Sequence, residues 1–206
     1  MLFEQTNDLM LPGHDRDTVE QLPDGQVRVH IVDRLDGVTT DMYEWWFGHM
    51  EHDTYMQWHP RDHEEFAWVS GWEPGRYVGA THMTRQTFGG VGSPMRADIT
   101  FAPRALWFDW RRFERHDVGV VICAVVHMHD DGGRPRPEVA ARFVHLGIRR
   151  DYGTELRSSF WLSANPGMDL DRATAGRTRH VHEECAFLCG FLPGLYAAST
   201  PGAVSR

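Results

Sequence analysis

The chain is dominated by strand-like segments that short clusters of Gly, Pro and Asp separate. Strict alternation of apolar and polar residues, as in Gln26–Asp33, is typical of a half-buried strand. The predicted strands are Gln26–Asp33, Tyr77–Phe88, Ala97–Phe101, Val118–His129, Ala140–Arg149 and Glu155–Leu162. A series of this kind indicates an antiparallel sheet.

Two helices complete the pattern. The first is predicted to begin near Asp41, where Thr39 or Thr40 can cap its amino end. The second runs from about Arg179 and stops near Pro193. The stretch between the first helix and the next strand is predicted as a loop rich in His and acidic residues. The fold class is therefore α+β, in which a curved sheet grips the long C-terminal helix and encloses a cavity.

The length of 206 residues predicts one compact domain. We assign residues 1–24 to an N-terminal extension and residues 25–206 to the domain. No segment approaches the roughly 20 apolar residues that span a bilayer, and the acidic start lacks the basic region of a signal peptide. Three Cys without a CxxC spacing favour a reducing compartment. We therefore expect a cytoplasmic protein with no membrane partner.

The charged residues exclude several classes of chemistry. The formal net charge of −8 argues against a nucleic-acid partner, whose site requires a basic stripe. All 21 basic residues are Arg, so no lysine can form a Schiff base, attach pyridoxal phosphate or complete a Walker phosphate loop. Ser93 lies outside any GxSxG motif, which leaves no nucleophilic serine with a recognisable setting. The 13 histidines become the main candidates for chemistry.

The pair of His180 and Glu184 is the strongest local signal. Their spacing of four residues places both side chains on one helix face, where they can hold a divalent ion. An isolated pair of this kind is more often a surface ion pair. Here the same face continues with Phe187, Leu188 and Phe191, so it is expected to point inward. Burial of such a pair without a ligand is costly, which favours a metal site.

Other histidines give weaker signals. His59 and His63 can share one turn, but two such histidines beside acidic residues are more often solvated loop residues. His82 and Gln86 alternate onto one strand face and could line the cavity. His145 lies on an apolar strand face, a position that is more typical of a satisfied core histidine than of a catalyst.

Four segments carry a combined resemblance to a known family. They are DGVTTDMYEWWFGHM at 36–50, YMQWHPRDH at 55–63, YGTELRSSFWL at 152–162 and HVHEECAFLCGFLPGLYA at 180–197. Together they resemble the 2,4-diacetylphloroglucinol hydrolase family, which also contains phloretin hydrolase. The resemblance implies a helix-grip fold similar to the START and birch-allergen proteins. It also implies a homodimer with one zinc ion, or another divalent metal, in each chain.

The family binds its zinc through two His and two Glu, and the resemblance carries these roles to positions of this chain. His63, His180 and Glu184 match three of the ligands. Gln86 stands where the family has the remaining glutamate, and a neutral amide would leave the ion with one more positive charge. His82 could instead take that coordination position.

The resemblance also implies a substrate site. Tyr55 matches a substrate-contacting tyrosine and His145 a cavity histidine, and both are assigned as catalytic. Trp58, His82 and Phe160 are assigned to substrate binding, with Phe160 in the place of an expected second tyrosine.

The resulting hypothesis is a metal-dependent hydrolase that cleaves a carbon–carbon bond in an acylated phenolic or polyketide-type ketone by a retro-Claisen mechanism. Tyr55 or His145 would hydrogen-bond the phenolic oxygen and help to protonate the ring carbon, and a metal-activated water would attack the acyl carbon. Two alternatives stay open. One is a metal-dependent cyclase, isomerase or decarboxylase of aromatic natural-product biosynthesis, and the other is a non-enzymatic binder of hydrophobic small molecules.

Overall fold

A computed structural model of the chain describes residues 14–107, 116–163 and 170–199, together with Asp8 and Asp109. The strands are β1 (Thr18–Gln21), β2 (Val27–Asp36), β3 (His63–Ser70), β4 (Thr81–Phe88), β5 (Val91–Ala102), β6 (Val118–Met128), β7 (Ala141–Arg150) and β8 (Gly153–Leu162). The helices are α1 (Thr40–His49), α2 (His52–Trp58) and α3 (Leu170–Ser199), with a short 3₁₀ turn at Arg104–Leu106.

All of these strands form one antiparallel sheet in the order β1-β2-β8-β7-β6-β5-β4-β3. The long helix α3 lies against this sheet and contacts β2, β4 and β5 as well as α1 and α2. The predicted α+β helix-grip architecture is therefore confirmed. In the described ranges, no helix combines the length and the apolar character that a bilayer span requires.

Apolar residues are buried on both faces of the sheet. The inner face packs against α1 through aromatic residues such as Trp46 and Phe47, whose ring meets that of Phe101 at 5.6 Å. The outer face has a second cluster that includes Val121 and Trp161. The continuous apolar run of β6 follows from this arrangement, because its side chains are buried alternately on one face and the other.

The amino end of α1 agrees with the prediction from sequence. The Oγ1 atom of Thr39 accepts a hydrogen bond from the backbone N–H of Met42 at 3.2 Å. Asp41 lies in the first turn, where a carboxylate interacts favourably with the helix dipole.

The predicted loop between α1 and the next strand is wrong, because this stretch contains α2 and β3. A reciprocal capping box starts α2, in which Glu51 and Thr54 each accept the backbone N–H of the other. The strand β3 lies at the edge of the sheet and alternates weakly, since its first buried residue is the polar His63. Short elements with polar inward residues give little apolar periodicity, which is the signal that the sequence prediction used.

The prediction of the long helix is wrong at both ends, since α3 begins at Leu170 rather than near Arg179 and continues to Ser199 rather than stopping near Pro193. Its first half is polar and lacks an apolar stripe, so periodicity does not reveal it. Pro193 lies inside the helix. One proline removes one backbone hydrogen bond, and the burial of Leu192 and Leu195 against the core offsets that loss.

Two strand boundaries also differ from the prediction. The strand predicted from Tyr77 begins at Thr81, because Tyr77 and Ala80 close a turn through a backbone hydrogen bond of 2.8 Å. The strand predicted over Ala97–Phe101 is longer and forms β5. At the amino end, β1 pairs with β2, so part of the predicted extension adds a strand to the sheet.

Candidate metal centre

Two elements that lie far apart in sequence bring three metal-ligand side chains together. His63 is the first residue of β3, directly after α2, while His180 and Glu184 lie one turn apart on α3. The Oε1 atom of Glu184 is 3.2 Å from Nε2 of His63 and 3.3 Å from Nε2 of His180. The potential ligand atoms of this trio all lie within 4.8 Å of one another. The predicted helix pair and the predicted first histidine therefore share one site.

The hydrogen bonds of the two histidines fix which ring nitrogen carries the proton. Nδ1 of His63 lies 2.9 Å from the backbone oxygen of Tyr55, and Nδ1 of His180 lies 2.8 Å from Oδ2 of Asp62. Both of these oxygens accept hydrogen bonds, so each Nδ1 carries the donated proton. In neutral rings each Nε2 then presents a lone pair toward Glu184. Metal-binding histidines are typically oriented in this way.

Asp62 is itself held by a tight turn between β4 and β5. Gly89 and Gly90 form this two-residue turn with φ values of 62° and 66°, a conformation that glycine adopts at little cost. Their backbone N–H groups donate to Asp62 at 2.5 and 3.0 Å, and the hydroxyl of Thr87 donates at 2.7 Å. Three hydrogen bonds thus hold the Asp62 carboxylate, which in turn orients His180.

The electrostatics of the trio favour a bound cation. Burial opposes ionisation of Glu184, but His180 and His63 outweigh it and hold the pKa of this carboxyl below its usual range. Burial likewise disfavours a charged His180, yet Glu184 and Asp62 raise the pKa of its imidazole. Nε2 of His63 is buried and forms no hydrogen bond with any described residue, although Oε1 of Glu184 lies 3.2 Å away. A divalent ion would satisfy this nitrogen, and two imidazoles with a carboxylate are a donor set that zinc accepts.

His59 and Asp62 belong to the site although sequence reasoning assigned them no role. His59 is fully buried, so its interpretation as a solvated loop residue is wrong, while its backbone oxygen does share a turn with His63. Its ring stacks on that of His180 with 4.4 Å between centroids. A second possible ligand group consists of His59, Asp62 and His180. The Asp62 oxygens in that group already accept four hydrogen bonds, which makes the trio with Glu184 the better-suited site.

Gln86, the predicted fourth ligand, lies directly opposite His63 in the pairing of β3 with β4. Its Oε1 accepts a hydrogen bond of 2.9 Å from the hydroxyl of Tyr55 and lies 3.3 Å from Oγ1 of Thr84. Burial raises the pKa of the Tyr55 phenol, so this hydroxyl keeps its proton at neutral pH. Gln86 on β4 thus lies next to His63 and is hydrogen-bonded to Tyr55, the predicted catalytic tyrosine.

His82 lies near the start of β4, in the space between the sheet and α3. It is four residues from Gln86 along β4, which corresponds to about 13 Å. Aromatic rings of Phe66, Trp68 and Phe101 surround it, and neither ring nitrogen has a hydrogen-bond partner in the part of the chain that the structure describes. Burial lowers the pKa of His82 to about 3, so the imidazole stays neutral.

A cavity of about 570 Å³ opens beside the trio, between the sheet and α3. Volumes of this size accommodate small organic ligands. Of the residues that the sequence predicted for the site, all but His63 line this cavity. They are Tyr55, Trp58, His82, Gln86, His145, Phe160, His180 and Glu184. His63 lies behind the cavity wall, with its Nε2 next to Glu184, which does line it. The rest of the wall is mostly apolar and aromatic.

His145 lies on the cavity wall as a neutral imidazole. Its Nδ1 is 2.7 Å from Oγ of Ser158, and its ring meets the rings of Phe143 and Phe160 at 4.8 and 5.7 Å. Burial lowers the pKa of His145 to about 4. Because Ser158 occupies one ring nitrogen, the other is the one left to hydrogen-bond a ligand.

Fold and site together define a helix-grip protein with a candidate metal centre beside an internal cavity. The family model described as the DAPG hydrolase PhiG domain matches residues 2–197, and the chain belongs to this family. The resemblance inferred from sequence motifs is thereby confirmed. No curated protein matches the chain significantly.

Several solved structures are similar to the chain at low sequence identity. Protein NE0264 from Nitrosomonas europaea is 13% identical with a TM-score of 0.50, and the match covers 82% of this chain and 96% of that chain. Ara h 8.0201 is 9% identical with a TM-score of 0.49, covering 81% and 99%. Mll3558 from Rhizobium loti is 17% identical with a TM-score of 0.44, covering 79% and 97%. The likeness to NE0264 supports the fold alone.

Proposed function

We propose that this protein is a zinc-dependent hydrolase that cleaves the carbon–carbon bond between an acyl group and a phenolic or polyketide-type ring. The observation that carries the proposal is the convergence of two imidazole Nε2 atoms on one carboxylate oxygen beside an aromatic-walled cavity. Membership in the DAPG hydrolase family supports the reaction class.

His63, His180 and Glu184 would hold the metal, with Gln86 next to them on the neighbouring strand. Zinc in such a site supplies Lewis acidity toward an oxygen of the ketone or of water. The charges balance, because Glu184 and Asp62 together offset the two positive charges of the ion. Asp62 thus provides, through His180, a negative charge that the amide of Gln86 lacks.

The overall reaction consumes one water. The bond between the acyl carbon and the ring carbon breaks, the acyl carbon gains a hydroxyl group to become a carboxylic acid, and the ring carbon gains a hydrogen. The residues on the cavity wall suit the two proton movements that this requires. Tyr55 is a protonated phenol that could donate a hydrogen bond to the substrate in place of Gln86, and His145 is a neutral imidazole that could accept or relay a proton.

The aromatic wall supports a planar ring as substrate. Trp58 lies beside Tyr55 with 5.7 Å between ring centroids, while Phe143 and Phe160 meet at 5.8 Å on the sheet. Such surfaces bury a phenolic ring favourably. The phenylalanine at position 160 offers no hydroxyl, which leaves Tyr55 and His145 as the hydrogen-bonding groups for the phenolic oxygen.

A paired substitution on α3 tests the proposal. His180→Ala removes a ligand and is expected to abolish zinc retention and cleavage of an acylphenol. His182→Ala is the matched control, since His182 contacts Asp33 and Asp17 away from the trio, and it should retain both properties. Elemental analysis and product mass spectrometry provide the measurements. Unchanged zinc content and turnover in His180→Ala would refute the proposal.

Product mass also separates hydrolysis from other reactions of the same site. Hydrolysis adds the mass of one water and releases a carboxylic acid, whereas a cyclase, isomerase or decarboxylase does not. Tight binding of an aromatic ligand by zinc-free protein, without any turnover of the zinc-loaded form, would instead indicate a binding protein.

A further inference from the structure

Arg177 lies on the cavity face of α3 and the reaction proposed above gives it no role. It precedes His180 by three residues and Glu184 by seven, a spacing that places all three side chains on one helix face. Arg177 is partly buried and lines the same cavity as the predicted catalytic residues. A cation therefore stands beside the substrate space.

The surroundings of this cation are aromatic. The guanidinium carbon lies 3.9 Å from the ring centroid of Phe88 and 4.8 Å from that of Phe160. Among the residues that the structure describes, no carboxylate forms an ion pair with Arg177. Burial lowers the pKa of its guanidinium to about 10, with Glu184 opposing the shift, so the side chain remains charged at neutral pH.

Stacking on rings compensates a buried guanidinium only in part. The carboxylate that opposes the pKa shift of Arg177 is Glu184, whose oxygen already faces His63 and His180. In the proposed function that carboxylate is also neutralised by the metal. A charged group held in an apolar wall without a partner is costly, and an anionic ligand would remove the cost.

We infer that Arg177 binds a carboxylate of the substrate, and hence that the substrate is an acylphenol that also carries a carboxylate rather than a neutral acylphenol. A guanidinium presents two parallel N–H donors, which match a carboxylate better than a single neutral hydroxyl. The inference rests on the proposed function for the location of the ketone. Seven residues of helix separate Arg177 from Glu184 by about 10 Å, so the carboxylate lies on the part of the substrate remote from the scissile bond.

A pair of probes with the same shape and different charge tests the inference. The probes are 4-acetylbenzoate and 4-acetylbenzamide, which carry an aryl ketone but no phenol and are therefore not cleaved. Their dissociation constants are measured by calorimetry at pH 7.5, with zinc-loaded and with chelator-treated protein. The chelated sample removes any direct binding of the carboxylate to the metal.

Native protein is expected to bind 4-acetylbenzoate about tenfold or more tightly than the amide, in both samples. Arg177→Gln should bind the two probes equally. Arg177→Met, which keeps an unbranched side chain that can pack on Phe88, carries the same expectation if the Gln variant fails to fold. Arg179→Gln is the matched control on the same helix, because Arg179 is exposed and lies outside the cavity lining, and it should keep the preference.

The result that overturns the inference is a carboxylate preference that persists in the folded Arg177 variant, that requires zinc, or that is absent from the native protein. Failure of the proposed function looks different. If acylphenols are never cleaved, whether or not they carry a ring carboxylate, but the charge preference depends on Arg177, the reaction is wrong and the anion subsite stands. If cleavage occurs and the native protein shows no preference, only the anion subsite is wrong.

Discussion

The candidate metal site depends on residues outside the trio of His63, His180 and Glu184. Asp62 accepts the Nδ1–H of His180, and Gly89 and Gly90 hold that carboxylate in place. Such a partner fixes the tautomer of a ligand and raises its basicity, which strengthens metal binding. The orientation of His180 in the trio thus depends on the hairpin between β4 and β5, through Asp62.

Asp62→Asn is expected to lower the affinity for zinc by roughly 10- to 100-fold. The amide keeps the size of the side chain but removes the charge that favours the donated proton on His180. Competition with a chromophoric chelator measures the affinity. Asp33→Asn is the control, because Asp33 pairs with His182 on the same helix at 2.6 Å and outside the trio. Equal affinities for native protein and Asp62→Asn would contradict this account of the site.

Individual residues also show what the sequence could reveal of the site. Spacing alone paired His180 with Glu184, because a helix places residues four apart on one face. The family resemblance was needed to add His63, whose meeting with α3 is a tertiary contact. Neither approach found His59 or Asp62. Asp62 lies in a turn whose only local signal is a polar cluster, and its partners are backbone groups distant in sequence.

At the scale of elements, the hairpin between β4 and β5 requires a glycine at position 89, whereas α3 does not require one at position 190. Gly89 has a positive φ, and a Cβ atom there would lie 2.7 Å from Arg179 and 2.9 Å from the backbone oxygen of Gly176. Gly190 lies inside α3, where an added Cβ meets nothing within 4 Å. The same substitution should therefore change stability in opposite directions.

Gly89→Ala is expected to lower the free energy of unfolding by about 1–3 kcal/mol because of backbone strain, and to weaken zinc binding through Asp62. Gly190→Ala is expected to raise it by about 0.5–1 kcal/mol because alanine is the better helix former. Chemical denaturation with constant m-values provides both numbers. A stabilised Gly89→Ala would show that the hairpin does not require its observed conformation.

The elements also divide into those that periodicity reveals and those that it does not. The strands β2, β6, β7 and β8 bury apolar residues in a regular pattern, and the sequence located them well. In contrast, α2, β3 and the first half of α3 turn polar residues toward the site or the solvent. Because inward positions of these elements hold polar residues of the site, their sequences lack the periodic apolar pattern that predicts a helix or a strand.

For the molecule as a whole, the helix-grip arrangement encloses a cavity whose wall is mostly apolar and contains a few polar side chains. The sequence predicted this cavity from the order of elements, and the structure places the predicted site residues around it. Several histidines consequently lie in surroundings that exclude water. Burial lowers the pKa of His30 and His145 to about 4 and that of His82 to about 3.

These buried histidines make the fold sensitive to acid. Each remains neutral in the folded state, whereas in the unfolded chain its pKa returns to about 6.5. At these three positions the unfolded state therefore binds more protons, so the stability that they contribute is complete above about pH 6.5 and decreases as the pH falls toward 4. With a chelator present throughout, the free energy of unfolding should decline by up to about 1.4 kcal/mol per pH unit for each such histidine.

His30→Gln isolates one of these contributions away from the metal centre. His30 is fully buried on β2, where its two nitrogens contact Ser159 at 2.6 Å and the backbone oxygen of His14 at 3.0 Å. The variant should be less stable at pH 8 but should lose less stability between pH 6.5 and 4, because one proton-linked group is gone. His52→Gln, at an exposed position, should follow the native pH dependence. If denaturation curves show the native slope for His30→Gln, neutral burial of this histidine is not a source of acid sensitivity.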